Sequence, residues 1–233
     1  MSDPTALPKY VAIAEMLIRE IASGRLIDGE RLPPERDMAE ALGTSVGTLR
    51  KSLDSLARKG FLERRHGSGN YVKTGADDAG IYAFFRLELK QGGGLPTADI
   101  LDVKRLKKPS DLPEFGRSDH GHRIRRLRRL SGQPAALEEI WLDGARAGVV
   151  RAEDLSESLY LYYRQSLGLW IAKAEDKVGV APVPDWRTEA FPMQSGEAAG
   201  YVERLSRAPD GEVVEVSKTW FDPGRVAYVA RLK

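Results

Sequence analysis

The chain has 233 residues, of which 42% are hydrophobic and 30% charged, and its formal net charge is only +2. This length allows a small module and one larger domain with a buried core. With no cysteine, the sequence excludes disulfides, thiol catalysis and cysteine-bound zinc. No apolar run reaches the length of about 18 residues that a membrane helix needs. The first ten residues do not resemble a secretion signal, so we expect a cytoplasmic protein.

The first predicted helix covers Lys9 to Ser23. Ile13, Leu17 and Ile21 recur along it at helical spacing, which predicts one apolar face, and Gly24 can end it. We expect this helix to pack in the core of a small N-terminal domain, with its apolar side chains in packing contacts rather than in contact with a ligand.

Two short helices are predicted after Pro34, a residue that suits the first turn of a helix. Gly43 can end the first of them, and Ser45 can cap the second. The apolar face of the second helix is formed by Leu49, Leu53 and Leu56. Its opposite face carries the small, hydroxyl or charged residues of a helix that enters a DNA groove, namely Gly47, Thr48, Arg50, Lys51 and Asp54.

A short hairpin follows these helices. Phe61-Leu62 and Tyr71-Val72 are predicted as its strands, and residues 65–69 as its glycine-rich tip. Two helices, a four-residue turn and a trailing hairpin form the pattern of a winged helix-turn-helix. In that motif the second helix enters the major groove of DNA.

This stretch resembles the DNA-binding domain of the GntR family of bacterial transcription regulators. The resemblance is carried by LPPER at 32–36, LGTS-x-x-TLR at 42–50 and GSG-x-YV at 67–72. It implies a winged helix-turn-helix domain over residues 1–75 that binds double-stranded operator DNA. The residues that it implies as DNA contacts are Arg36, Ser45, Thr48, Arg50, His66 and Gly67.

Position 46 departs from the family pattern. GntR regulators usually carry an arginine there that recognises a base, whereas this chain has Val46 followed by Gly47. Valine donates no hydrogen bond; it can touch a thymine methyl group or join the apolar face with Leu49. We keep Val46 among the DNA-contacting positions and predict an operator that differs from the common family half-site at that base pair.

Positive charge is concentrated on these predicted DNA-binding elements. Residues 42–73 hold seven lysines and arginines against two acidic residues, whereas residues 76–233 hold 24 of each sign. A charge cluster alone is usually a solvated surface. Because this one coincides with a DNA-binding motif, it favours a nucleic-acid partner.

A second domain is predicted over residues 81–233, after a linker of small and acidic residues at 76–80. Its hydrophobic pattern changes to a period of two, which predicts an α+β domain around a mostly antiparallel sheet. One helix is predicted at Ala152–Leu167 and a shorter one at Gly196–Gly200. The predicted strands are Ile81–Leu89, Ile100–Leu106, Ile124–Leu130, Ala135–Leu142, Trp170–Val178, Val202–Arg207, Val213–Phe221 and Val226–Leu232.

Short connections predict antiparallel hairpins at Ser131–Pro134, Pro209–Gly211 and Asp222–Gly224. Before the first of these turns, Arg126 and Arg128 share one face of their strand, and Glu138 follows in the next strand. A three-residue loop would bring Glu138 to the arginines, whereas a two-residue loop would separate them. The sequence leaves this register open.

The second domain resembles the UTRA effector-binding domain of the HutC branch of GntR regulators, a fold shared with chorismate lyase. The resemblance is carried by RLRRLSGQPAALE at 126–138 and DGEVVEVS at 210–217. It implies a pocket in which two arginines bind a carboxylate or a phosphate. The residues that it implies as the effector site are Arg126, Arg128, Glu138 and Glu215.

Two tyrosines, Tyr160 and Tyr228, are candidates to close this pocket. A buried Arg–Glu network without a ligand is the alternative interpretation. The pair His120 and His122 is typical of metal sites, but the neighbouring carboxylates lie in a loop and no cysteine is present. We therefore predict no metal and no cofactor.

These features predict a homodimeric transcription regulator, a repressor that a small anionic metabolite releases from a pseudo-palindromic operator. The expected effector is a phosphorylated sugar or a carboxylate similar to urocanate. The alternative is a chorismate-lyase-like enzyme domain fused to a DNA-binding module. Against this alternative, the domain shows no evident pair of nucleophile and base.

Overall fold

A computed structural model of the protein describes residues 8–22, 24–73, 86–92, 96–155 and 158–231. These residues form two compact units, one built on three helices and a hairpin and the other on a large antiparallel sheet. The predicted linker at 76–80 and the first residues of the predicted strand Ile81–Leu89 lie outside the described residues.

Three helices form the core of the first unit. The inner residues predicted for the first helix, Ile13, Leu17 and Ile21, are buried, and Gly24 follows the helix with a φ of 72°. Leucines at 49, 53 and 56 are buried in the third helix, as predicted. The helices are α1 (Lys9–Ala22), α2 (Glu35–Ala41) and α3 (Val46–Arg58).

The hairpin after α3 consists of β1 (Leu62–Arg65) and β2 (Gly69–Val72), paired antiparallel. The strands are longer than predicted, so the turn between them is confined to residues 66–68. Phe61 is fully buried but precedes the first strand instead of starting it. An isolated bridge from Arg31 to Tyr71 joins the hairpin to the segment before α2.

Six antiparallel strands form the sheet of the second unit, in the order β4-β5-β6-β9-β8-β7. The hydrophobic alternation predicted the existence of these strands, although most extend further than expected. Their bounds are β4 (Pro96–Lys107), β5 (His120–Leu130), β6 (Gln133–Asp143), β7 (Lys173–Pro182), β8 (Ala198–Arg207) and β9 (Val213–Phe221).

Both helix predictions in this unit need correction. The predicted helix Ala152–Leu167 is a 3-10 turn at Ala152–Asp154, an extended Leu155 and a separate helix α4 (Leu159–Leu167). The short helix predicted at Gly196–Gly200 is wrong, because this segment enters strand β8. Gly200 lies in that strand against the ring of Phe221, a contact that only a residue without a Cβ allows.

The hairpin predicted at Asp222–Gly224 is also wrong. Residues after this turn form β10 (Val226–Tyr228), which pairs with β3 (Leu87–Leu89) in a separate two-stranded sheet. The short connection therefore turns the chain away from β9. A short turn permits a hairpin but does not select which strand becomes the partner.

The sheet of the second unit presents two different faces. One face packs apolar residues, among them Leu127, Leu137 and Trp220, against Phe191 of a connecting segment. On the other face lie Arg126, Arg128 and Glu138, together with Glu215, which the phenol of Tyr160 from α4 contacts. The second face therefore carries the four residues predicted for the effector site.

Replacing Gly200 with alanine is expected to lower the free energy of unfolding by about 1–3 kcal/mol, because the new Cβ would overlap the ring of Phe221. Thermal unfolding followed by tryptophan fluorescence measures this, at about 2–4 °C per kcal/mol for a domain of this size. Gly179→Ala in strand β7 is the matched control, since no atom lies within 4 Å of its Cβ position. Equal effects of the two substitutions would contradict the packing argument.

Candidate functional site

The start of α3 is organised by hydrogen bonds around Ser45, the residue that caps it. The Ser45 hydroxyl accepts a hydrogen bond from the backbone N–H of Thr48 at 3.1 Å, and the two side-chain hydroxyls lie 2.9 Å apart. Gly47 between them is exposed. Hydroxyl groups at a positive helix end are typical ligands of phosphate oxygens.

Arg50 is held by an ion pair between the two helices of the motif. Its Nε donates to a carboxylate oxygen of Glu35 at 2.6 Å, which joins α3 to the first residue of α2. This hydrogen bond and the negative charge of Glu35 raise the pKa of the Arg50 guanidinium. Arg36, the next residue of α2, is exposed. The structure thus puts both predicted arginines at the surface of the helix-turn-helix.

Val46 and the hairpin tip complete the predicted DNA-binding set. Val46 is half-buried at the first position of α3. At the tip, His66 is exposed and Gly67 has a φ of 71°, with open space where a Cβ would be. Such a residue lets the backbone approach a DNA groove closely.

Contacts within the hairpin fix the position of this tip. The guanidinium of Arg65 stacks over the ring of Tyr71 at 4.2 Å from its centre. The phenol of Tyr71 lies 2.7 Å from the hydroxyl of Ser68. These contacts link the two strands across the turn, so the tip is presented by a braced hairpin.

The turn between β5 and β6 decides the register that the sequence left open. It has two residues, Ser131 and Gly132, with φ angles of 49° and 76°, as in a type I′ turn. A two-residue turn was predicted to separate Arg126 from Glu138, and this prediction is wrong. A β-bulge at Ala135 adds one residue to β6, so that Arg126 pairs directly with Glu138.

Arg126, Arg128 and Glu138 form a buried ionic cluster. Arg126 Nε donates to Glu138 Oε2, and Arg128 donates to both carboxylate oxygens at 3.3 and 3.4 Å. Burial alone would raise the pKa of Glu138, but the two guanidinium groups outweigh it and lower this pKa below its ordinary value. Both guanidinium groups thus contact one carboxylate, and guanidinium groups are the usual protein partners of carboxylate and phosphate ligands.

Glu215 lies in a second polar group on the same face of the sheet. One of its oxygens accepts hydrogen bonds from Ser206 at 2.8 Å and from Tyr160 at 3.2 Å. Burial raises the pKa of Glu215 and also raises that of the Tyr160 phenol. Arg204, which pairs with Asp176 through two hydrogen bonds of 2.6 Å, lies two residues before Ser206 on the same face of β8.

Ser206 and Arg204 were not among the residues predicted to lie near the pocket. Alternation along β8 was available as a signal, since positions 202, 204 and 206 share one face. What was missing was the pairing of β8 with β9, which brings Ser206 directly opposite Glu215. Pairing partners of that kind are not visible in one strand's pattern.

Two other predictions concern Tyr228 and the histidines. Tyr228 ends strand β10 in the two-stranded sheet, whereas the arginines and Glu138 lie in the six-stranded sheet.

The two histidines considered for a metal site make different contacts. His122 is buried and its Nε2 forms a hydrogen bond with the carbonyl oxygen of Ala147 at 2.8 Å, while His120 contacts Asp119. Across the part of the chain that the structure describes, no three potential metal ligands are grouped together.

Comparison with known proteins identifies both parts of the chain. Residues 9–72 match the model of the bacterial regulatory proteins of the gntR family, and residues 91–227 match the UTRA domain. The HTH-type transcriptional regulator SmoD of Agrobacterium fabrum is 60% identical over 98% of this chain and 97% of its own length. The chain belongs to the GntR family of transcriptional regulators and carries a UTRA domain.

More distant proteins match this GntR regulator over nearly its whole length. The HTH-type transcriptional repressor NagR of Bacillus subtilis is 24% identical over 96% of this chain and 94% of its own. The crystal structure of the possible transcriptional regulator YydK from the same organism superposes with a TM-score of 0.53 at 21% identity. It covers 97% of this chain and all of YydK. This structural likeness establishes the shared fold.

The two domains define what this GntR regulator does. It binds DNA through its helix-turn-helix domain and carries a domain of the type that binds small-molecule effectors. Its relatives are named transcriptional regulators, so the alternative of a chorismate-lyase-like enzyme is not supported. None of the described helices combines the length and the apolar composition that crossing a membrane requires.

Proposed function

We propose that this GntR regulator is a homodimeric repressor that acts in the cytoplasm and is released from its operator by a small anionic metabolite. Residues 1–75 bind the operator, residues 76–80 are a linker, and residues 81–233 bind the effector and dimerise. A two-fold symmetric dimer matches a pseudo-palindromic operator. The name of the relative NagR, a transcriptional repressor, supports the sign of regulation.

The DNA-binding surface in this proposal consists of the start of α3, the neighbouring α2 and the hairpin tip. Arginine recognises guanine through two hydrogen bonds or clamps a phosphate, and hydroxyl groups bind phosphate oxygens. The open backbone at Gly67 suits the minor groove. The residues assigned to this surface are Arg36, Ser45, Val46, Thr48, Arg50, His66 and Gly67.

The buried cluster of Arg126, Arg128 and Glu138 is the observation that supports an anionic effector. Guanidinium groups bind carboxylates and phosphates through charge-assisted hydrogen bonds, and two of them lie side by side on this face of the sheet. A phosphorylated sugar or a urocanate-like carboxylate would accept hydrogen bonds from these groups, and Glu215 on the same face of the sheet would complete the site. In this proposal the bound effector lowers the affinity of the protein for its operator. By thermodynamic linkage, bound operator lowers the affinity for the effector by the same factor.

A thermal-shift titration of the full chain tests the effector class. One panel contains phosphorylated sugars and the other small aromatic or imidazole carboxylates, including urocanate. A ligand at one hundred times its Kd stabilises the protein by about 2.7 kcal/mol. We expect a hit to lose its effect in Arg128→Ala and to release operator DNA from the wild type. Silence in both panels would mean that the arginines form a structural network only.

Replacing Val46 with arginine is expected to change the preferred operator at one base pair in each half-site. Arginine can donate two hydrogen bonds to guanine, whereas valine touches only a thymine methyl group, a difference of about 1–3 kcal/mol. Selection from a random duplex library with the wild type and the variant measures the preference. Val46→Leu, which adds no donor, is the control. An unchanged preferred sequence for the arginine variant would show that position 46 does not contact a base.

A further inference from the structure

We propose that the edge strand β7 pairs antiparallel with β7 of a second copy of this chain, so that two six-stranded sheets join across a two-fold axis. The inference rests on the homodimer of the proposed function and names the surface through which it forms. A symmetric dimer uses the same patch of both copies, so the patch must be complementary to itself. Strand β7 contains a segment of that kind at residues 178–181.

The two edges of the six-stranded sheet differ in how they resist pairing. Strand β4 at one edge has a register shift between Ile100 and Asp102. Three exposed positive charges follow along this strand, at Lys104, Arg105 and Lys107. Bulges and exposed charges are the usual means by which an edge strand avoids pairing with another chain. Strand β7 at the other edge pairs with β8 over ten residues without a register shift, so this edge is regular.

The second half of β7 exposes apolar side chains. Val178 and Val180 are 55% and 73% exposed, and they lie on one face because side chains alternate along a strand. Gly179 between the valines is also exposed, and residues 178–181 hold no charged side chain. On a regular edge, such a segment offers backbone hydrogen-bonding groups and two β-branched side chains to a second strand.

The register centred on Gly179 makes this segment complementary to itself. With the two-fold axis at Gly179, Val178 of each copy lies opposite Val180 of the other. A register centred on Asp176 would instead oppose two carboxylates, and one centred on Lys177 would oppose two ammonium groups, which is unfavourable. The axis at Gly179 brings four valines together on one face and places no like charges directly opposite each other.

The charged residues at the border of this segment are compensated within their own sheet. Arg204 donates two hydrogen bonds of 2.6 Å to Asp176. The ammonium group of Lys177 lies 3.7 Å from a carboxylate oxygen of Glu203 on the neighbouring strand. Pro182 ends β7, and because proline has no N–H to donate, it fits the end of a shared segment. The paired segment therefore runs from Asp176 to Pro182 in each copy.

The dimer dissociation constant of the full chain, measured by analytical ultracentrifugation, tests the proposal. Val180→Lys is expected to raise this Kd at least about tenfold, because the symmetry removes both valine pairs at once and puts two lysines diagonally across from each other. Leu101→Lys makes the same kind of change at the edge strand β4, where Leu101 is 40% exposed, and is expected to leave the Kd unchanged. Thermal unfolding of both variants checks that the fold is retained.

A disulfide test reports the register without weakening the interface. The chain has no cysteine, so a single introduced thiol is the only one present. Gly179→Cys is expected to form a cross-linked dimer on mild oxidation, since directly opposite residues have Cα atoms about 4.5–5.5 Å apart, within the range of a disulfide. Lys177→Cys is the control, because the same register holds its two copies about four residues apart along the strands, roughly 13 Å.

The outcomes separate this surface from the homodimer itself. A wild type that stays monomeric at all concentrations would contradict the homodimer of the proposed function. A wild-type dimer that Val180→Lys leaves intact would overturn the β7 interface alone, and dissociation by Leu101→Lys would move the interface to β4. Absence of the Gly179→Cys cross-link, or equal cross-linking of Lys177→Cys, would overturn the register centred on Gly179.

Discussion

Replacing Glu138 with glutamine is expected to lower the free energy of unfolding at pH 7 by about 3–5 kcal/mol. Arg126 and Arg128 are only 6% and 4% exposed, and the substitution removes the carboxylate that both of them contact. Urea denaturation followed by tryptophan fluorescence measures this effect in the sheet domain. The four tryptophans all lie between Trp141 and Trp220, so their signal reports that domain.

The effect of this substitution should depend on pH in a defined direction. The pKa of Glu138 is lowered in the folded state, from an ordinary value of 4.5. Ionised Glu138 therefore stabilises the fold above pH 4.5, and this stabilisation is lost as the pH falls through the lowered pKa. The difference between wild type and Glu138→Gln should shrink accordingly on acidification.

Glu215→Gln is the matched control because its pKa is shifted in the opposite direction. Burial raises the pKa of Glu215 above 4.5, so ionisation of this residue costs stability as the pH rises from 4.5 through the raised pKa. The variant is expected to be as stable as the wild type, or more stable, at pH 7. Identical pH profiles for the two variants would contradict the opposite environments of Glu138 and Glu215.

The Glu138→Gln variant also tests whether the cluster of Arg126, Arg128 and Glu138 is a binding pocket or a closed ionic network. If the cluster is open to an anionic ligand, anions that stabilise the wild type should stabilise Glu138→Gln more, because they replace the missing charge. Equal stabilisation of both proteins would indicate that the ligand does not reach the arginines.

Replacing Arg50 with alanine is expected to weaken operator binding by roughly ten- to a hundredfold, the value of one bidentate base contact. Affinity for a scrambled duplex should fall much less, since the lost contact is to a base and the contacts to phosphates remain. Titration of both duplexes at one salt concentration measures the two affinities. A parallel loss on both duplexes would show that Arg50 contacts the backbone instead of a base.

Glu35 is expected to affect the contact between Arg50 and the operator, because its carboxylate forms an ion pair with Arg50. Glu35→Gln retains a hydrogen-bond acceptor and should lower operator affinity less than Arg50→Ala does. In the Arg50→Ala background, Glu35→Gln should have almost no further effect, because the two residues act through one contact. Glu40→Gln, at an exposed position of the same helix, is the control for the change in charge.

The sequence by itself determined the features that depend on local chemistry. The cap at Ser45, the stop at Gly43 and the leucine spacing of α3 specify the helix-turn-helix within about thirty residues, since caps and periodicity act over one or two turns. Alternation along β5 likewise put Arg126 and Arg128 on one face. These predictions held because each depends only on neighbours in the chain.

Only the tertiary structure decided which of these elements meet. The bulge at Ala135, and not the length of the turn, brought Glu138 opposite Arg126. The pairing of β10 with β3, the entry of Gly200 into a strand and the ion pair of Glu35 with Arg50 were equally invisible in the sequence. Pairing and packing of this kind join residues distant in the chain, and their free energies depend on partners that no local pattern names.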